Sequence, residues 1–215
     1  MAKNGRFIIA AVNGSKELRQ STCIPAGAGK NVAKFLKSKG ISGKGKVLGA
    51  DTITVTPEWS SYWPGGSVPG STKTPKTDFV IGKNKISLKS GSAAQLMSGG
   101  RNESIATFYT ALNSVEGMQK KMIDKLTKMF EGLAPASVAG SELGKEIKKG
   151  KDKAVMQANA AHKELMGELK AIFAKNKQFA NAFAYEAMSG DVKFGRKSLG
   201  SCSHFLTTSF DGKKA

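Results

Sequence analysis

Asp78, Ser87 and Lys89 are polar residues spaced closely enough to share one piece of phosphate chemistry. The chain holds 16 Asp and Glu against 34 Lys and Arg, so the position of an acid is informative. Asp78 opens the apolar run Phe79-Val80-Ile81, and a second run, Lys85-Ile86-Ser87-Leu88-Lys89, follows Gly82-Lys83-Asn84. Two short strand-like runs around a Gly-containing turn predict a β-hairpin. Side chains alternate along a strand, so Ser87 and Lys89 share a face. Hydrolysis of a phosphodiester needs carboxylates to hold Mg²⁺ against the phosphate, and a positive group to orient water or steady developing charge. Asp78 and Lys89 are of the types such a reaction uses. The competing reading makes Asp78 a turn cap and Lys89 one solvated lysine among many.

Thr77-Asp78, eight intervening residues and then Ser87-Leu88-Lys89 resembles the D…(D/E)xK core of the PD-(D/E)XK nucleases. In that superfamily the Asp and the Glu bind metal and the Lys contacts the water or phosphate. The sequence departs from the pattern twice, with Thr77 at the usual Pro and Ser87 at the metal-binding Glu. A branch of type II restriction enzymes carries the same Ser-x-Lys and moves the carboxylate to the following helix, fourteen positions after the lysine. That position here is Glu103, and the resemblance covers 26 residues, Asp78 to Glu103, with four positions in register.

The resemblance implies Asp78 and Glu103 as ligands of Mg²⁺ or Mn²⁺, Lys89 as the catalytic cation, and Ser87 as a residue lining the site. It also implies double-stranded DNA as substrate, allows for a homodimer, and sets the expected fold class. That class is α/β: a restriction-endonuclease-like central mixed sheet (47–55, 77–82 and 85–90) flanked by helices, in one domain spanning 1–215. A basic helical segment at about 114–175 would be an insertion or appendage. Other members place an acid upstream on the first helix, where Glu17 stands here; Gln95 and Arg101 are candidate phosphate or DNA contacts by proximity.

Composition points to the same partner by an independent route. The formal net charge of +18 is one excess cation for about every twelve residues. Such a surface repels itself unless a polyanion is near, and Lys or Arg on phosphates releases condensed counterions. Nucleic acid is the expected partner. An anionic membrane, an acidic protein partner, or charge kept for solubility are the alternatives, and no Lys-flanked, Trp- or Leu-rich amphipathic helix favours the membrane. The longest apolar run, Phe7 to Val12, is six residues, too short for a signal-peptide core or a membrane span. The expected location is cytoplasmic, in a host-cell interior or packaged in a virion.

Other chemistries are poorly supplied. Cys23 and Cys202 are far apart and without metal-ligand spacing, which predicts free thiols. His162 and His204 are the only histidines, leaving little for a Ser-His-Asp or Cys-His site. Pro25-Ala26-Gly27-Ala28-Gly29-Lys30-Asn31 lacks the first Gly and the final hydroxyl of a phosphate-binding loop and reads as a turn before a helix.

These residues need a frame. The pattern predicts a short helix near 30–39, a strand near 47–55, and a long irregular loop over 57–76. In that loop Trp59, Tyr62 and Trp63 either stack on bases beside Lys73 and Lys76 or pin the loop to the core. A helix is expected from about 103, capped by Asn102, with Glu103 in its first turn. Helical patterns continue over 115–131, 141–174 and 178–188, the second containing a charge run at 145–153. Glu186 reads as an exposed acid at a helix end. Strand-like segments are expected at 192–194 and 204–210, and the end at Phe210–Ala215 reads as an interrupted hairpin from a truncated, longer parent.

The rival function is a non-catalytic nucleic-acid-binding or virion-packaged structural protein, for which Ser87 and the basicity would suffice. A lysine-rich adaptor for an acidic protein is a third reading; it predicts no salt-dependent DNA affinity.

Overall fold

The computed structural model describes residues 2–15, 27–48, 52–63, 70–72, 74–90, 101–117, 124–125, 128 and 153–208. They form two compact units, 1–99 with 185–215 and 100–184.

The first unit is built on a mixed four-stranded sheet. Its strands are β1 (Gly45–Val47), β4 (Phe79–Ile81), β5 (Asn84–Ser90) and β6 (His204–Thr208), in the order β1-β4-β5-β6. β4 runs antiparallel to both β1 and β5, while β6 lies parallel to β5. The helices α1 (Ala2–Val12) and α2 (Ala28–Ser38) supply Ile8, Ile9 and Leu36 to a core with Phe79, Ile81, Ile86, Leu88 and Leu206. This period-2 set faces the helices, so Ser87 and Lys89 fall on the opposite side of β5. The two helices approach closely at Gly29, where a Cβ would lie 2.8 Å from the Phe7 carbonyl oxygen.

The hairpin forms as expected, with a tighter turn. Ile81 pairs with Asn84, leaving Gly82 and Lys83 as the two turn residues. Gly82 has φ +57°, the positive φ that a type II′ turn requires at its first position.

Several expectations are corrected. The segment 47–55 is not one strand: β1 ends at Val47, and β2 (Ile53–Thr54) pairs instead with β3 (Ser71–Thr72) in a separate sheet. The stretch 57–76 is not wholly irregular, because Pro57 opens the helix α3 (Pro57–Ser61) and the Thr56 hydroxyl accepts the Trp59 N–H at 3.2 Å. Proline is favoured at a helix's first position, where its missing N–H costs nothing. Trp59 is buried beneath this turn, so that aromatic pins the segment to the core. Asn102 lies inside the helix α4 (Arg101–Asn113) rather than capping it. β6 forms within the strand-like segment expected at 204–210 and pairs parallel to β5, while the interrupted hairpin expected at Phe210–Ala215 lies outside the described residues.

The second unit packs α4 against α5 (Lys153–Lys175) and the start of α6 (Lys177–Ser189). Its core joins Phe108, Ala111, Leu112, Ile172 and Phe179. Phe108 meets Phe179 edge-to-face, with ring centroids 5.1 Å apart. Of the segment expected to be helical over 115–131, residues 115–117 form a turn after α4 while 124–125 and 128 are helical; the charge run at 145–153 falls outside the described residues except Lys153, which opens α5.

Candidate active site

Asp78 stands immediately before β4, and three bonds fix it. Its N–H donates to the Ile86 carbonyl at 2.9 Å, its carbonyl accepts the Leu48 N–H at 3.1 Å, and its Oδ2 accepts the Leu88 N–H at 2.6 Å. The carboxylate therefore takes a main-chain donor of β5 where the backbone ladder ends. Burial pushes the Asp78 carboxyl above its ordinary value, while the Leu88 N–H and the charge of Lys89 act in the opposite direction.

Ser87 and Lys89 follow on β5. Ser87 is buried, and its Oγ has no hydrogen-bond partner of good geometry. It nevertheless lies close enough to Asp78 to favour the ionised carboxylate. Oγ is adjacent to the carboxylate without a firm bond to it. Lys89 is half-buried and pairs in register with Thr207 of β6. Thr77 is buried as well, and its hydroxyl donates to the Ser201 carbonyl at 2.5 Å. The fold thus brings Asp78, Ser87 and Lys89 together within one hairpin.

Glu103 occupies the first turn of α4 and is half-buried; it belongs to the second unit, as does Arg101, the first residue of the same helix. Glu17 and Gln95 lie outside the described residues, as do Lys73 and Cys23. Among the described residues no group of three or more His, Cys, Asp and Glu could hold a metal ion. Mg²⁺ keeps several waters and is commonly held by one or two carboxylates plus substrate phosphate. Asp78 supplies one carboxylate of the kind such an ion uses, with Oδ2 engaged by the Leu88 N–H and the buried Ser87 hydroxyl beside it.

The sequence reading missed a second polar cluster. Glu186 is buried, not exposed: Oε2 accepts the Val192 N–H and Oε1 the Lys193 N–H, both at 2.9 Å. Those donors open α7 (Asp191–Phe194), so Glu186 caps that short helix and makes 192–194 helical instead of a strand. Burial raises the Glu186 carboxyl and the two N–H groups counter it. Nearby, the Lys85 ammonium donates to the Arg196 carbonyl at 2.7 Å, the Ser198 carbonyl at 2.6 Å and Ser201 Oγ at 2.7 Å. All three of its donors are used, so Lys85 is a structural clamp.

A cleft of about 360 Å³ beside this clamp is lined by Lys85, Tyr185, Asp191, Arg196, Cys202 and His204 among others. Asp191 Oδ2 accepts from Tyr185 OH at 2.5 Å and from Arg196 Nε at 3.0 Å. Cys202 is a free buried thiol whose Sγ donates to the Met188 carbonyl at 3.2 Å; burial pushes it up to about 11. The only local hint of this cluster was the acid, Glu186, near a helix end; its partners lie six and seven residues on, beyond any capping-box spacing.

Comparison with known proteins finds no match: no family model, no curated protein and no solved structure resembles the chain. Among the described residues no helix is long and apolar enough to cross a membrane.

Proposed function

We propose that the protein is a Mg²⁺-dependent DNA endonuclease of restriction-endonuclease type, working through Asp78 and Lys89. One observation carries this reading: Asp78, Ser87 and Lys89 sit together on the hairpin of a mixed sheet, with the Lys89 charge acting on the Asp78 carboxylate. The expected residue types have come together in a partly dry setting, where charge is felt strongly.

Each side chain has a role that follows from its atoms. Asp78, anchored through Oδ2 on the Leu88 N–H, presents a carboxylate of fixed orientation for a metal. Mg²⁺ or Mn²⁺ held there would polarise the phosphate and lower the pKa of water. Lys89 orients that water or steadies the charge of the phosphorane. The Ser87 hydroxyl lines the site and supports the ionised form of Asp78. The resemblance assigns the second carboxylate to Glu103, whose substitution therefore belongs in the test.

Supercoiled plasmid incubated with Mg²⁺ or Mn²⁺ provides that test. Metal-dependent nicking or linearisation, lost in Asp78→Ala, Lys89→Ala and Glu103→Ala, supports the nuclease. DNA bound but left intact under both metals rejects it and leaves a second reading, a non-catalytic nucleic-acid-binding or virion-packaged protein. A specific observation favours that reading: Ser87 replaces a carboxylate, and one oxygen of Asp78 is already engaged by Leu88.

A further inference from the structure

Positive charge is unevenly spread over the first unit. Residues 1–50 contain ten Lys and Arg and one acid, Glu17. Within this stretch α2 carries Lys30, Lys34 and Lys37, all exposed. At about 100° per residue the three fall within roughly 60° of arc around the helix. The opposite side of α2 buries Ala28, Gly29 and Leu36 against the core, so this stripe faces outward. Among the described residues none of the three lysines takes part in an ion pair. Three like charges at i, i+4 and i+7 repel one another and weaken an isolated helix, so the arrangement is not explained by helix stability.

The buried face of α2 is spent on α1 and the sheet, and the large apolar side chain that α2 still exposes is Phe35 alone, too little to enter a lipid surface. What remains is a row of cations carried on one face of a helix. Lys30 to Lys37 spans about 10 Å along the axis at ~1.5 Å per residue. Charge on duplex DNA is spaced on a comparable scale, one phosphate per ~3.4 Å of axis on each strand. Phe35, half-exposed about 100° around the helix from Lys34, packs under Lys39, whose Nζ lies 5.7 Å from the ring centroid. Arg6, exposed on α1, adds a cation to the same two-helix layer.

We infer that the Lys30–Lys34–Lys37 face of α2 is a docking surface for the phosphate backbone of duplex DNA. It lies on the helical layer, across the sheet from Ser87 and Lys89, and so contacts a stretch of DNA other than the one those residues face. The docking surface shares with the proposed function only the partner, duplex DNA, and none of the chemistry. The contact reads charge and not sequence, because phosphates carry no base information.

The test is the salt dependence of binding to a short duplex, measured by fluorescence anisotropy in EDTA so that cleavage plays no part. Lys30→Gln/Lys34→Gln/Lys37→Gln is compared with the wild type and with the matching triple Arg variant. Three lost phosphate contacts lower the slope of log K against log salt by about 2.7. The ratio of wild-type to variant affinity then narrows about 40-fold between ~50 and ~200 mM salt. The Arg variant keeps the wild-type slope. An unchanged slope in the Gln variant overturns the inference, as does equal loss in the Gln and Arg variants. Binding of anionic vesicles but not DNA by the wild type also overturns it. A protein that binds this way yet never cuts DNA sinks the nuclease and leaves the docking surface standing.

Discussion

The Asp78 carboxylate accepts the backbone N–H of Leu88 at 2.6 Å, so a side chain holds the point where two strands of the hairpin part. Burial raises the Asp78 carboxyl, and the folded protein therefore binds its proton more tightly than the unfolded chain does. Stability from this group is fully present below the ordinary carboxylate value and is lost as pH rises through the elevated folded value. Asp78→Asn keeps an oxygen for the Leu88 N–H and removes the ionisation. Urea titrations from below pH ~4 to pH ~7 should show the variant gaining stability relative to the wild type as pH rises. A difference that stays constant with pH would reject this sign.

Glu186 accepts two adjacent main-chain donors with its two oxygens, a geometry an amide cannot reproduce. In Glu186→Gln one of the Val192 or Lys193 N–H groups meets an NH₂ donor and goes unsatisfied. The expected loss is about 1–3 kcal/mol in chemical denaturation. Equal stability of variant and wild type would show that the cap is dispensable.

Lys85 ties Arg196, Ser198 and Ser201 to β5 through one ammonium. Lys85→Met retains the aliphatic stem and strands those acceptors. A loss of about 2 kcal/mol is expected, with faster hydrogen exchange over 196–203 than elsewhere in the first unit. Uniform exchange would argue against a local clamp.

Cys202 should resist alkylation while the protein is folded. Its thiol is buried and pushed up to about 11, so little thiolate exists near neutral pH. Peptide-level mass spectrometry after iodoacetamide treatment should find Cys202 modified only once denaturant unfolds the chain. Rapid labelling of the native protein would contradict the burial.

The hairpin was legible because its determinants are local. Gly82 supplies the positive φ, and Phe79, Ile81, Ile86 and Leu88 alternate with polar or less buried neighbours at period 2. The Ser87–Lys89 face followed from that alternation alone. The parallel partner of β5 was not legible, since His204–Thr208 pairs with residues more than a hundred positions earlier and no turn announces it. α7 was missed for a related reason. Asp191-Val192-Lys193-Phe194 is too short to show a helical period, and its cap comes from Glu186 on the preceding helix. The strand assigned to 47–55 failed because Val47 and Ile53 belong to different sheets, a distinction set by their partners and not by their own side chains.

The nuclease reading requires that Asp78 and Lys89 act on a scissile phosphate. The decisive measurement is the cleavage rate of an end-labelled duplex at saturating protein, in Mg²⁺, for wild type, Asp78→Asn and Lys89→Met, each shown separately to bind DNA as tightly as the wild type. Metal-dependent cleavage by the wild type is expected, with a fall of at least ~100-fold in both variants, the scale of losing one group that stabilises charge in the transition state. Cleavage by both variants at the wild-type rate, or no cleavage by a wild type that binds the duplex, would contradict it.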